Sequence, residues 1–243
     1  MANHNTAIFG MPSKEQLANL FGTKPAEPDE VDEKEKEELA SNAPAPETAE
    51  PAAAPASEAQ NHRRTEVVNR RRMQSRIETL CLDRYSEMFQ VSKYSISRAT
   101  KFSDAFVNID PIMEQNIIFD AYCRSPLGEQ FIEISTASRA GGLDMYYLYH
   151  MLSKIYYYRN TTQQQARLVL LAVQLPGSYY TGYAAASTSE LSARRLATLQ
   201  KTFAPAIRNQ LLEIIPMEIT DDDIARIRKE VEESSAFKTD DPA

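Results

Sequence analysis

The chain has no tryptophan, two cysteines, three histidines and only seven glycines among its 243 residues. Cys81 and Cys123 form no CxxC pair, and His4, His62 and His150 are scattered. A structural zinc site needs four such ligands at tight spacing, so no metal centre is expected. The two thiols read as buried apolar groups of a reducing compartment. With glycine scarce, GxGxxG, GxxxxGK and GxSxG are all missing, as are HExxH and an EF-hand loop. That removes the common dinucleotide, nucleoside-triphosphate and hydrolase signatures. No catalytic set and no cofactor are expected, and the protein reads as non-enzymatic.

Long apolar runs are missing too. The most apolar stretch, Leu168–Leu175, is interrupted by Gln174 and closed by Pro176. It is far shorter than the roughly 20 residues a bilayer requires. Met1–Gly10 lacks the basic start and apolar centre of a signal peptide. The expectation is a soluble, cytoplasmic protein without membrane insertion.

What is present divides the chain. Between Thr23 and Asn61 stand eleven acidic residues, three lysines and six of the 13 prolines, with no aromatic residue. Such a segment buries too little apolar surface to offset its ordering entropy and is expected to be disordered. The chain carries a net charge of −7, nearly all of it in this spacer. Residues 1–22 precede it as a short helical docking motif. Ser13 is a cap with Gln16 three residues on, and Leu17, Leu20 and Phe21 share one face. That motif docks on a partner, packs back on its own body or is an inert tail. Residues 62–233 make the folded body, and 234–243 a flexible tail.

The body reads as all-α, a compact bundle of about eight or nine helices. Met73, Ile77, Leu80 and Met88 recur at helical spacing and give a long first helix to about Phe89. Ile96, Ala99, Phe102 and Phe106 mark a second. Asp110-Pro111 opens a third through Cys123, and Ser125-Pro126 a fourth through Ile134. A fifth spans about Leu143–Arg159, a sixth about Thr161–Leu175, a seventh begins at Ser187 or Thr188, and an eighth runs from Pro205 to near Pro216. Thr220, followed by Asp221, Asp222 and Asp223, caps the last helix.

Two surfaces stand out. Tyr146, Tyr147, Tyr149, Tyr156, Tyr157 and Tyr158 crowd the fifth helix, where consecutive tyrosines cannot share one core face. Such a girdle suits a protein interface, with Tyr146, Tyr149 and Tyr157 as partner-binding candidates beside Leu17, Leu20 and Phe21. Arg63, Arg64, Arg70, Arg71, Arg72 and Arg76 give a basic stretch over 63–76 that suits phosphate binding, a docking surface for the acidic spacer, or a plain solvated helix face. An acidic tether competing for that patch would be autoinhibitory. The carboxylates Asp104, Asp110, Glu114, Asp120 and Asp144 are scattered among predicted helices, and nothing in the sequence places any two together.

Residues 84–99 resemble a helix-turn-helix unit. Phe89 and Val91 flank the turn, Ser92 caps a second helix, and Ile96 and Ala99 pack it. The resemblance implies that Lys93, Tyr94, Ser95 and Arg98 are exposed on a recognition helix, joined on nucleic acid by Arg70, Arg71 and Arg72. Gln90 stands where such units use glycine in a left-handed conformation. The expected function is a non-enzymatic adaptor or assembly subunit of a multiprotein complex, with a DNA-binding regulator as the alternative. Partner identity and oligomeric state are not read from the sequence.

Overall fold

A computed structural model of the chain describes residues 21–41, 56–107, 117–125, 128–136, 145–179 and 188–236. The fold is α/β. Six strands lie in one sheet in chain order: β1 (Thr23–Pro25), β2 (Ile96–Phe102), β3 (Ile118–Ser125), β4 (Gly128–Thr136), β5 (Ala166–Gln174) and β6 (Leu212–Glu218). Strands β1 to β4 pair antiparallel, and β4, β5 and β6 run parallel. The helices are α1 (Pro28–Ser41), α2 (Ala56–Phe89), the single turn α3 (Asp104–Val107), α4 (Met145–Thr162), α5 (Thr188–Thr202), the short α6 (Ala204–Arg208) and α7 (Asp221–Ala236). No described helix is long and apolar enough to cross a membrane.

Two apolar cores sandwich the sheet. On one face Ile77, Cys81, Leu82 and Tyr85 of α2 and Ile224, Ile227 and Val231 of α7 meet Val169, Leu171 and Val173 of β5. On the other, Leu148, Met151, Leu152, Ile155 and Tyr158 of α4 and Leu199 of α5 meet Phe131 of β4 and Leu168 and Leu170 of β5. Phe102 is the hub of the second core, with Phe106, Phe119, Phe131 and Tyr158 all within 5.5 Å of its ring centroid. The expectation for the cysteines bears on Cys81 and Cys123: both are free and buried. Burial pushes the Cys81 thiol up to about 12 and raises Cys123 as well.

The all-α expectation is corrected by this sheet. The predicted second, third, fourth, sixth and eighth helices cover what are β2, β3, β4, β5 and β6, apart from the turn α3 and the short α6. The reason is clearest in β5, whose ARLVLLAVQ is buried on both faces by helices. A strand covered on both sides loses the polar–apolar alternation that distinguishes it from a buried helix. The long first helix, the tyrosine helix, the helix opening at Thr188 and the capped last helix are helices in the structure. At that last cap Asp223 N–H donates to Thr220 Oγ1 at 3.2 Å and Thr220 N–H donates to Asp223 Oδ2 at 2.9 Å. This reciprocal arrangement satisfies two otherwise unpaired donors.

The helix-turn-helix resemblance is corrected as well. Its first helix and turn exist, and Gln90 has the left-handed φ of 52°. Its second helix does not form: Lys93–Ser95 is one 3-10 turn, and Ile96 begins β2. The β-branched Ile96 and Thr100 pair with β3 instead, through Cys123 and Phe119.

The spacer departs from expectation in its first half. Residues 23–25 add an edge strand to β2, and 28–41 form α1. Charge, which disfavours a core, here supplies the contacts that order the segment.

Candidate functional site

The site begins with a defect in the sheet. In β3, Ala121 and Cys123 face the first core and Phe119 the second, although alternate residues of a strand share a face. In β2, Ile96 and Phe102 are split in the same way. The switch falls at Asp120 and Ala99, between the pairs Arg98–Ala121 and Thr100–Phe119. Ala99 has φ 45°, a left-handed conformation uncommon for alanine. Strained backbone of this sort concentrates where function rather than packing fixes the chain.

The kink frees Asp120 to work in the plane of the sheet. Its Oδ2 accepts the Ile134 N–H of β4 at 2.6 Å, and its Oδ1 accepts Lys34 Nζ at 2.6 Å. The same ammonium donates to the Ile118 carbonyl at 2.8 Å and to Glu133 Oε2 at 3.2 Å. All three side chains are nearly buried, with 13% of Lys34, 14% of Asp120 and 6% of Glu133 exposed. Three oxygens on two adjacent strands therefore converge on one cation. The place is the carboxyl end of β4, where β3 begins. Ligands of open sheets with parallel strands bind outside those ends.

Basic groups stand beside it. Lys101 of β2 is buried and bonds Glu30 of α1. That bond and the Glu27 N–H hold the Glu30 carboxyl below its usual range. Arg71 of α2 donates to Glu35 at 2.6 Å and to Asp32 at 3.0 Å. Among the described residues no group of three or more His, Cys, Asp or Glu side chains is placed around a metal position. A hydrated Mg²⁺ requires fewer, being held typically by one or two carboxylates with water and substrate phosphate completing its shell.

The opposite end of the sheet carries other polar features. A cavity of about 490 Å³ lies between β6 and α5–α6, lined by Arg167, Arg208, Gln210 and Leu212. Arg167 bridges Glu213 there at 3.1 Å. Nearby, Glu129 Oε2 and the Tyr158 hydroxyl are buried without a hydrogen-bond partner. Burial, with the Glu129 charge beside it, pushes the Tyr158 phenol far above its usual range.

The sequence candidates distribute unevenly. Leu17 and Leu20 lie outside the described residues, as do Asp110, Glu114 and Asp144. Phe21 packs on Phe106, 6.4 Å between ring centroids, so this part of the N-terminal motif lies on its own body. Tyr146 and Tyr149 are exposed, whereas Tyr157 is half-buried against Phe106 at 5.6 Å, and the exposed neighbour is Tyr156. Of the arginines, Arg70 and Arg72 are half-buried on α2 and Arg71 reaches α1. Lys93 bridges Asp83 at 2.9 Å, Arg98 donates to Thr79 Oγ1 at 3.0 Å, and Ser95 Oγ donates to the Ser92 carbonyl at 2.7 Å. The Tyr94 side chain lies outside the described residues. Sequence reasoning named Asp120 but missed Lys34, Lys101 and Glu133. No signal within one sequence joins Lys34 to a carboxylate 86 residues away. No protein-family model matches the chain, and no curated protein and no solved structure matches it.

Proposed function

We propose that the protein is a divalent-cation-dependent hydrolase of phosphodiester bonds in nucleic acid, with Asp120 and Glu133 as the carboxylates that hold the cation. The observation that carries this reading is the convergence of Asp120 Oδ1, Glu133 Oε2 and the Ile118 carbonyl on a single positive charge. Burying two carboxylates costs more stability than an apolar pair of the same size would, so packing alone gives no reason for them. An all-oxygen set suits Mg²⁺ or Mn²⁺. Such an ion activates water and neutralises phosphoryl charge. Lys101 and the α2 arginines supply the positive surface on which a phosphate backbone is held. This reading departs from the non-enzymatic expectation.

Supercoiled plasmid incubated at low salt with Mg²⁺ or Mn²⁺ tests it. Cleavage should require the divalent ion and fall at least about 100-fold in Asp120→Asn and in Glu133→Gln. Absence of cation-dependent cleavage by both the wild type and Lys34→Ala would sink the proposal.

The adaptor reading retains one specific support. Tyr146, Tyr149 and Tyr156 are 66%, 51% and 59% exposed along one stripe of α4, an arrangement typical of interface anchors. Tyr149 also packs on the buried Phe203, 4.8 Å between ring centroids, so the test replaces Tyr146 and Tyr156 with serine, which should abolish recovery of a defined partner by the full-length chain while leaving its melting temperature unchanged. Equal recovery would remove this reading.

A further inference from the structure

Helix α1 is held in an unusual way. Among the described residues none of its side chains belongs to either apolar core. Its described ties are mainly ionic: Glu30 to Lys101, Asp32 and Glu35 to Arg71, and Lys34 to Asp120 and Glu133, with Lys34 also donating to the Ile118 carbonyl. The helix carries seven carboxylates and two lysines in PDEVDEKEKEELAS, and its own sequence has little to stabilise it in isolation. The carboxylates of α1 thus present negative charge to Lys101 and Arg71, while Lys34 holds the centre of the carboxylate pair.

We propose that α1 is a displaceable anionic strap covering the surface on which the phosphate backbone of duplex DNA docks, its carboxylates standing where phosphates bind and Lys34 standing where the cation binds. This rests on the hydrolase reading for the role of the pair beneath the strap. The surface and its occupant rest on charge complementarity alone. Duplex DNA competes with Glu30, Asp32 and Glu35 for Lys101 and Arg71. Its arrival lifts α1 and withdraws Lys34, so that Asp120 and Glu133 become available together with the substrate. Free enzyme is thereby kept from the cation until nucleic acid is present.

The test uses the full-length chain and a fluorescein-labelled DNA duplex in EDTA at low salt, so that no cleavage enters the readout. Glu30→Gln, Asp32→Asn and Glu35→Gln combined should tighten duplex binding at least about tenfold, because three competing charges are removed while the basic floor is kept. In the wild type, amide hydrogen exchange over 28–41 should accelerate when duplex is added, while β5 stays protected and reports that the body remains folded. Equal or weaker binding by the triple variant overturns the proposal. So does duplex binding that leaves α1 as protected as before, or no binding by either protein. The two readings fail separately. Strap release without cation-dependent cleavage removes the hydrolase and keeps the strap, and cleavage with α1 still protected does the reverse.

Discussion

Single polar atoms decide the local behaviour of this chain, and they do so in opposite ways at the two ends of β4. Asp120 has both oxygens engaged, by Ile134 N–H and Lys34. Tyr158, wholly buried under the sheet, has a hydroxyl without a hydrogen-bond partner. The Glu129 carboxylate stands beside it at a geometry that makes no full hydrogen bond, so little offsets the hydration it loses. Tyr158→Phe keeps the ring in the aromatic core and removes only that hydroxyl. Urea denaturation should show this variant to be as stable as the wild type or up to about 1 kcal/mol more stable. A loss above about 1 kcal/mol would mean that the hydroxyl is bonded in solution. Gly128 shows a backbone constraint of the same local kind. Its φ is 110°, and an added Cβ would lie 2.4 Å from the Gln165 carbonyl oxygen, so no side chain fits where β4 leaves its hairpin beside β5.

At the scale of elements, the start of α7 is fixed by the groups that satisfy it. Burial alone would raise the Asp223 carboxyl, but the Thr220 N–H and hydroxyl and the Arg84 guanidinium outweigh it and hold the group below its usual range. Arg84 reaches it at 2.7 Å from α2, so the cap of α7 also locks two helices on one face of the sheet. A carboxyl depressed in the folded state contributes stability above its unfolded value, near 3.9, and loses it as pH falls through the folded value. Asp223→Asn should therefore cost about 1–2 kcal/mol at pH 7. The gap to the wild type should close progressively below about pH 4 in urea titrations at a series of pH values. A gap independent of pH would show that the charge is not what matters. Strand β5 illustrates why element type was hard to read. Its apolar residues serve both cores, Leu168 and Leu170 on one side and Val169, Leu171 and Val173 on the other. Between Arg167 and Gln174 nothing polar is left to mark a period of two.

At the scale of the molecule, the charge-rich spacer and the sheet are parts of one structure. Lys34 comes from a segment whose composition forbids a core, yet it is nearly buried because two strands offer it three oxygens. Removing one member of a buried ionic group strands the others. Lys34→Met should cost about 3 kcal/mol, roughly 6–12 °C in melting temperature for a domain of this size. Millimolar Mg²⁺ should restore part of that loss by binding the vacated carboxylates, and should not do so in a Lys34→Met, Asp120→Asn double variant. Equal Mg²⁺ effects on the two variants would remove the cation from the proposed function. The carboxylate pair and the acidic strap meet only because β3 kinks at Asp120 and the chain from β1 runs back across the sheet end.

The sequence by itself determined what depends on neighbours a few residues away. It set the long helix ending at Phe89, the Thr220 cap of the last helix, the tyrosine-rich α4 and the excess of negative charge ahead of the arginines. These follow from spacing and capping chemistry, which act over one or two turns. Tertiary structure alone decided that β2 to β6 are strands and that Tyr156 rather than Tyr157 faces out. It also brought Lys34, Asp120 and Glu133 together from three separate elements. The reason is physical. A segment covered on both faces carries no periodic signal of its own state, and a charge becomes buried only when distant partners meet it, so both properties belong to the packed sheet rather than to any stretch of chain.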